Sequence, residues 1–154
     1  MYEKVFNLNI SFCSSSTFKD YIKIILRYKS LMAKLINLQT VQDPKGKLTV
    51  FERLLHGGIK RVFFIHDPQV EKRGGHRHKE TTHALICQSG SVKVYVHNGK
   101  KERTYLLNTP EQCLILDPED WREMYDFSEN TILLGISNTY YDTDDYITEP
   151  YGEI

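Results

Sequence analysis

The sequence predicts an all-β fold, an antiparallel sandwich or barrel, preceded by an α-helical N-terminal extension. Two observations predict the β domain. From Leu35 onward, short apolar runs of strand length recur between turns rich in Gly and Pro. One of them, Val92 to His97, alternates apolar and polar residues one by one, the period of a half-buried strand. A third observation predicts the extension: before Leu35 the apolar residues recur at helical steps instead. The chain has 154 residues, about one domain's worth. We divide it into an extension over 1–34 and a β domain over 35–154.

The elements follow in order. Ser14-Ser15-Ser16-Thr17 offers helix N-caps. Phe18, Tyr21, Ile22, Ile25, Tyr28, Met32 and Leu35 then lie three or four residues apart, so one helical face is apolar. Residues 1–31 carry five basic and two acidic side chains, which leaves the rest of a neutral chain at −3. The helix lacks Trp and dense basic charge, so a place on the body of the domain suits it better than a membrane surface. Met32 is also an alternative start. Asp43-Pro44-Lys45-Gly46 places Pro and Gly as a turn requires. Lys60–Ile65, Ala84–Cys87, Val92–His97, Arg103–Leu107, Cys113–Leu116 and Thr131–Ile136 read as strands. Asn98-Gly99 fits a two-residue type I′ hairpin between the third and fourth of these.

Composition excludes several classes. Twenty Lys+Arg balance 20 Asp+Glu, which argues against a basic nucleic-acid binder or a polybasic membrane-surface protein. No apolar run approaches the roughly 18 residues that span a bilayer. Cys13, Cys87 and Cys113 are odd in number and widely spaced, with no Cys-x-x-Cys, so a reducing cytoplasm is expected.

The chemistry concentrates in Arg73-Gly74-Gly75-His76-Arg77-His78-Lys79. Residues two apart in a strand share a face, so His76 and His78 point together. Two adjacent imidazoles can bind a metal or act as base and acid near neutral pH. Gly74 and Gly75 permit close approach of a ligand to the backbone. Arg73 has the forked geometry that matches phosphate oxygens. The other three histidines, His56, His66 and His97, are expected at the surface. The acidic group of Asp142, Asp144, Asp145 and Glu149 reads as a solvated turn.

His-x-His after a Gly pair, with Gly90 closing the next turn, resembles the first motif of the cupin superfamily. Metal-binding cupins carry a third ligand, usually Glu, five residues after the second His; here that position is His83. Their second motif adds a His shortly after a Pro, whereas here Pro118-Glu119-Asp120 leads to Trp121. The resemblance narrows when further segments are read together. Asp43–Leu48, Lys60–Ile65, Arg73–Lys79, Trp121-Arg122-Glu123-Met124 and Ser137 to Ile147 occur in the order of the nucleotide-sugar 3,4-ketoisomerases. The chain resembles that family over about residues 32–148. Two positions depart from it: Arg77 stands where the family usually has Ala, and His83 where it usually has Gln.

The resemblance implies a cupin-type antiparallel β-barrel, a jelly roll. It implies an enzyme that converts dTDP-4-keto-6-deoxy-glucose to a 3-keto isomer without a cofactor. His76 would be the base and His78 the proton shuttle. Arg73, Arg61, His83, Trp121 and Tyr141 are the candidate substrate contacts. A cytoplasmic homodimer serving surface-glycan amino-sugar synthesis is implied as well. Two other readings stay open. A metal-dependent cupin enzyme would use His76, His78 and His83 as ligands. A non-catalytic nucleotide-sugar binding module would bind without turnover.

Overall fold

The computed structural model describes residues 32–69 and 71–152, and all of these belong to β-structure, turns and loops apart from one 3-10 turn at Thr143–Asp145. Twelve strands run in order: β1 (Lys34–Asn37), β2 (Gln39–Asp43), β3 (Gly46–Val50), β4 (Arg61–His66), β5 (Lys72–His78), β6 (His83–Ser89), β7 (Val92–His97), β8 (Glu102–Leu107), β9 (Gln112–Leu116), β10 (Trp121–Tyr125), β11 (Ile132–Ser137) and β12 (Tyr146–Ile147). The helix expected over the extension lies outside the described residues up to Leu31. Its last turn is corrected: Lys34 and Leu35 pair with Ile115 and Leu114 as strand β1. Sheet pairing overrides helical spacing there. No helix among the described residues is long and apolar enough to cross a membrane.

One five-stranded sheet has the order β1-β9-β6-β11-β4, the other β12-β5-β10-β7-β8, and β2-β3 form a separate hairpin. The ladders do not close, so the expected barrel is two open sheets. Edge strands as short as β1, with four residues, and β12, with two, end a sheet rather than bridge it to another.

Alternation decides what lies between the sheets. Leu85, Cys87, Leu114, Leu116 and Leu133 from the first sheet meet Val92, Val94, Val96, Tyr105, Leu107 and Met124 from the second in one core. Each large aliphatic side chain buried there contributes about 1.5–3 kcal/mol. The odd-numbered positions of β6 feed this core. Its even-numbered partners Ala84 and Ile86 join Leu55, Cys113 and Ile136 in a second cluster on the opposite face. This explains why Ala84–Cys87 reads as a continuous apolar run: both of its faces are buried.

Two turns were predicted, with different outcomes. Pro44-Lys45 connects β2 to β3 as expected, with Lys45 N–H donating to Asp43 Oδ1 at 2.8 Å. The type I′ turn at Asn98-Gly99 is corrected to a four-residue loop, because the ladder closes at His97 and Glu102. Gly99 alone of the pair has positive φ. The Asn98 side chain accepts from the Lys100 and Lys101 amides, so it builds the turn with its own carbonyl.

Gly74 has a structural duty that differs from the one expected. It adopts φ +92, and a Cβ there would stand 2.5 Å from the Arg122 carbonyl oxygen. The register between β5 and β10 shifts at this point, between Arg122 and Glu123. What approaches Gly74 most closely is therefore strand β10. Gly75, at φ +71, faces open space. Gly74→Ala should lower unfolding stability by about 1–3 kcal/mol or more, and Gly75→Ala by less. Urea denaturation of both variants checks this, and equal losses would contradict a clash specific to Gly74.

Candidate active site

A cavity of about 420 Å³ opens between the sheets. Its wall draws on five strands: Arg61 and Phe63 of β4, Arg73 and His76 of β5, His83 and Leu85 of β6, Leu116 of β9, and Arg122 and Met124 of β10. Tyr141 and Tyr146, from the segment after β11, complete it. Apolar walls with a few convergent charged groups are the usual character of a ligand site.

The histidines share a face, as expected from their spacing. The His76 and His78 rings lie 5.0 Å apart at 84°, and His78 and His83 4.9 Å apart at 89°. Tyr146 packs against His76 at 4.7 Å and against His78 at 4.6 Å. The two motif histidines are not equivalent. His76 lines the cavity, whereas the His78 side chain is fully buried behind it. His78 Nδ1 meets Asp145 Oδ2 at 2.7 Å, and its Nε2 is buried without a partner among the described residues.

Arg122 sits opposite His76 in the β5–β10 ladder and is completely buried. Its Nη2 donates to the Asp117 carbonyl at 3.0 Å, while Nε and Nη1 have no partner among the described residues. Burial pulls the guanidinium down to about 10, so it stays charged at neutral pH. This charge acts on every imidazole nearby. Burial, then Arg122, lowers His76; the same two causes bring His78 to about 4 and His83 to about 2. All three are therefore neutral at pH 7. Burial also pushes the Asp120 carboxyl up to about 7. At Asp145 burial works upward too, but hydrogen bonds from Thr81, the Glu80 amide and His78 outweigh it and hold the carboxyl low.

Arg61, Ser137 and His83 form a row across β4, β11 and β6. Arg61 Nη2 donates to Ser137 Oγ at 3.2 Å and to His83 Nε2 at 3.3 Å. Its guanidinium also lies 5.4 Å from the Tyr141 ring and 5.6 Å from the Phe63 ring. Arg73 and Tyr141 are exposed at the mouth.

The structure thus gathers His76, Arg61, Arg73, His83 and Tyr141 around one cavity, with His78 directly behind. Trp121 is corrected. It pairs with His97, while Arg122 and Met124 pair with the core residues Val96 and Val94, so Trp121 faces away from the cavity. His97 is corrected as well: it is buried, beneath Tyr151 at 5.2 Å, whereas His56 and His66 are exposed as expected. The metal reading of His76, His78 and His83 finds no converging donors. Among the described residues no three His, Cys, Asp or Glu side chains are arranged to share an ion. His78 Nδ1 and His83 Nε2 are already engaged by Asp145 and Arg61.

Sequence reasoning missed Arg122, Asp145 and Tyr146. Alternation from Trp121 would have put Arg122 on the opposite face, but nothing in Trp-Arg-Glu-Met marks which face is inward. Asp145 and Tyr146 reach the site only because Tyr146 pairs with His78 in the ladder.

Comparison with known proteins agrees with this geometry. Residues 31–152 match the family model FdtA: WxcM-like, C-terminal. The chain is 34% identical over 119 residues to the TDP-4-oxo-6-deoxy-alpha-D-glucose-3,4-oxoisomerase of Aneurinibacillus thermoaerophilus, covering 75% of this chain and 86% of that one. A variant of the 3,4-ketoisomerase QdtA from Thermoanaerobacterium thermosaccharolyticum, solved in complex with TDP-4-keto-6-deoxyglucose, superposes with a TM-score of 0.71 at 37% identity; 76% of this chain and 87% of that chain are covered. The WlaRB TDP-quinovose 3,4-ketoisomerase of Campylobacter jejuni gives 0.70 at 35% identity over 76% and 92% of the two chains.

The buried histidines make stability depend on pH. Each has a folded pKa below its unfolded value of 6.5. Between those values the unfolded chain binds more protons, so acid favours unfolding. Asp120, raised to about 7, opposes this over the same range. Burial raises Asp117 as well, so three imidazoles stand against two carboxyls, and the urea midpoint should still fall as pH drops from about 6.5 to about 4. His83→Gln removes one of the three, so its midpoint should fall less steeply over that window. A midpoint rising on acidification would contradict the buried neutral state.

Proposed function

We propose that this chain, which belongs to the family FdtA: WxcM-like, C-terminal, is a sugar 3,4-ketoisomerase acting on TDP-4-keto-6-deoxyglucose. The observation that carries the reading is the neutral His76 imidazole on the wall of a cavity that also holds Arg61, Arg73 and Arg122. The reaction moves the ketone from C4 to C3 and balances without an external oxidant. His76 takes the C3 proton, and the C3–H electron pair becomes the C3=C4 bond of an enediolate. The O3 proton then passes to O4 and the proton held by His76 returns to the ring at C4, which leaves a C3 ketone and a C4 hydroxyl with no net gain or loss of protons.

A neutral imidazole is the form a base requires. Positioned acid–base groups contribute about 10²–10⁴-fold each. His78 is buried behind His76 in edge contact, which suits a relay of protons rather than direct contact with the sugar. Arg122 brings to the cavity wall a buried charge with two nitrogens unpaired among the described residues, which suits it to stabilise the enediolate oxygen. Arg61 and Arg73 are suited to the diphosphate, and His83 and Ser137 orient Arg61. Tyr141 forms the outer wall.

The two open sheets are, in this reading, a cupin-type jelly roll, and the N-terminal extension ends at Leu31 rather than at residue 34, since Ala33 joins the core and Lys34 opens β1. We place the enzyme in the cytoplasm, where its 3-keto product would be aminated for a surface glycan. It would work as a homodimer. The outer face of β4 leaves Val62 51% and Phe64 59% exposed on an edge strand, a surface a second copy would cover.

Incubation with TDP-4-keto-6-deoxyglucose in D₂O should place deuterium in the hexose ring and yield a 3-keto product by NMR. No exchange above a heat-killed control would remove the assignment. His76→Asn should abolish turnover with the fold intact by circular dichroism; wild-type turnover there would move the base elsewhere. Light scattering should report a dimer for the wild type and a monomer for Phe64→Glu.

A further inference from the structure

We propose that Asp145 is a positioning residue of the isomerisation, holding the His78 imidazole with its hydrogen on Nδ1 and its Nε2 lone pair available to the proton relay. The inference rests on the ketoisomerase reading for its catalytic consequence. Its structural half stands on the contacts alone.

The Asp145 carboxylate is surrounded by donors. Oδ2 accepts from the Thr81 hydroxyl and lies 2.7 Å from His78 Nδ1. Oδ1 accepts from the backbone amides of Lys79 at 3.1 Å and Glu80 at 2.8 Å. A carboxylate held this way is an acceptor only. The nitrogen facing it must therefore carry the hydrogen, and the tautomer of His78 follows from its partner. The second ring nitrogen is then a bare acceptor. It is buried, and no group among the described residues satisfies it.

The placement is specific in the fold. Lys79, Glu80 and Thr81 belong to the turn joining β5 to β6, the two strands that carry the three site histidines. Asp145 ends the 3-10 turn before β12, and β12 pairs Tyr146 with His78. One carboxylate thus ties the turn between the histidine strands to the segment that brings Tyr146 into the wall. The groups facing His78 are His76 on its own strand, His83 from β6, Arg122 from β10, and Asp145 with Tyr146 from the C-terminal segment. Asp145 is the negative charge among them. It supports transient protonation of His78 against the positive field of Arg122.

The test uses the ¹⁵N-labelled full chain. Long-range ¹H–¹⁵N correlation spectra of the wild type should show His78 protonated on Nδ1. Asp145→Asn offers an amide that can donate to Nδ1 and should move the hydrogen to Nε2. Deuterium exchange into the sugar should then fall by about 10²–10⁴-fold. TDP affinity by calorimetry should change by less than about threefold, because the carboxylate lies behind the cavity wall. The basic side of the pH–rate profile should move with the variant, which mere loosening of the fold would not cause. Thr81→Val removes one donor only and should keep the Nδ1 tautomer. The proposal is overturned if wild-type His78 carries its hydrogen on Nε2, or if Asp145→Asn exchanges deuterium at the wild-type rate. A wild type with the Nδ1 tautomer and no exchange supports the positioning contact while removing the ketoisomerase reading.

Discussion

The Arg122 guanidinium lies fully buried between the two sheets, with one nitrogen paired to a carbonyl and two left without partners. Taking such a charge out of water costs several kcal/mol even after relaxation. The site is arranged around that cost. Asp120, Asp145, Tyr146 and Asp117 favour the charged form, and burial still pulls it below its ordinary range. The same charge then sets the protonation of its neighbours. His76, His78 and His83 are all held neutral by burial first and Arg122 second. Burial and this cation together keep the imidazoles at and behind the cavity wall neutral at pH 7, and two guanidinium nitrogens have no partner among the described residues. Neutral net charge is consistent with this: the positive charge at the cavity comes from placed arginines rather than from a general positive field.

Backbone geometry puts the charge in place. Arg122 reaches the interior because its ladder partners Val96 and His76 also face inward. The strands β5 and β10 approach closely enough only because residue 74 has no Cβ, and the register shift at this point accompanies the approach. On the opposite sheet, Gly135 plays a related part. A Cβ there would meet the Phe63 ring, so the absence of one lets Phe63 lie across β11 and form part of the cavity wall. The glycines serve strand packing at least as much as ligand approach.

Much of this was legible in the sequence where the signal was local. Alternation in Val92–His97 and the apolar runs elsewhere located six strands, and His-x-His placed two imidazoles on one face. Signals that depend on long-range pairing were not legible. Leu35 fits a helical series by spacing, yet β9 pairs with it. Trp121 looked like a wall residue by its chemistry, but facing direction is set by the ladder with β7. Asp145 looked like one more carboxylate in a solvated turn. Only the fold brings it, 67 residues along the chain, to His78.

His83 shows how the chemistry of a position can persist when its residue type changes. The family resemblance leads one to expect Gln there, and an extra histidine beside His76 and His78 suggests a third metal ligand. The structure gives it a different partner. Arg61 donates to His83 Nε2, and Arg61 is a permanent cation with no acceptor capacity. His83 Nε2 must therefore be an acceptor, as a glutamine carbonyl would be. Burial and Arg122 bring its pKa to about 2, so the imidazole is neutral at pH 7. A histidine that cannot charge and already shares its lone pair with an arginine behaves as a rigid amide-like acceptor. Its hydrogen bond, together with that from Ser137, fixes the Arg61 guanidinium between Phe63 and Tyr141. The departure from the family pattern thus preserves the support of a cationic group at the cavity.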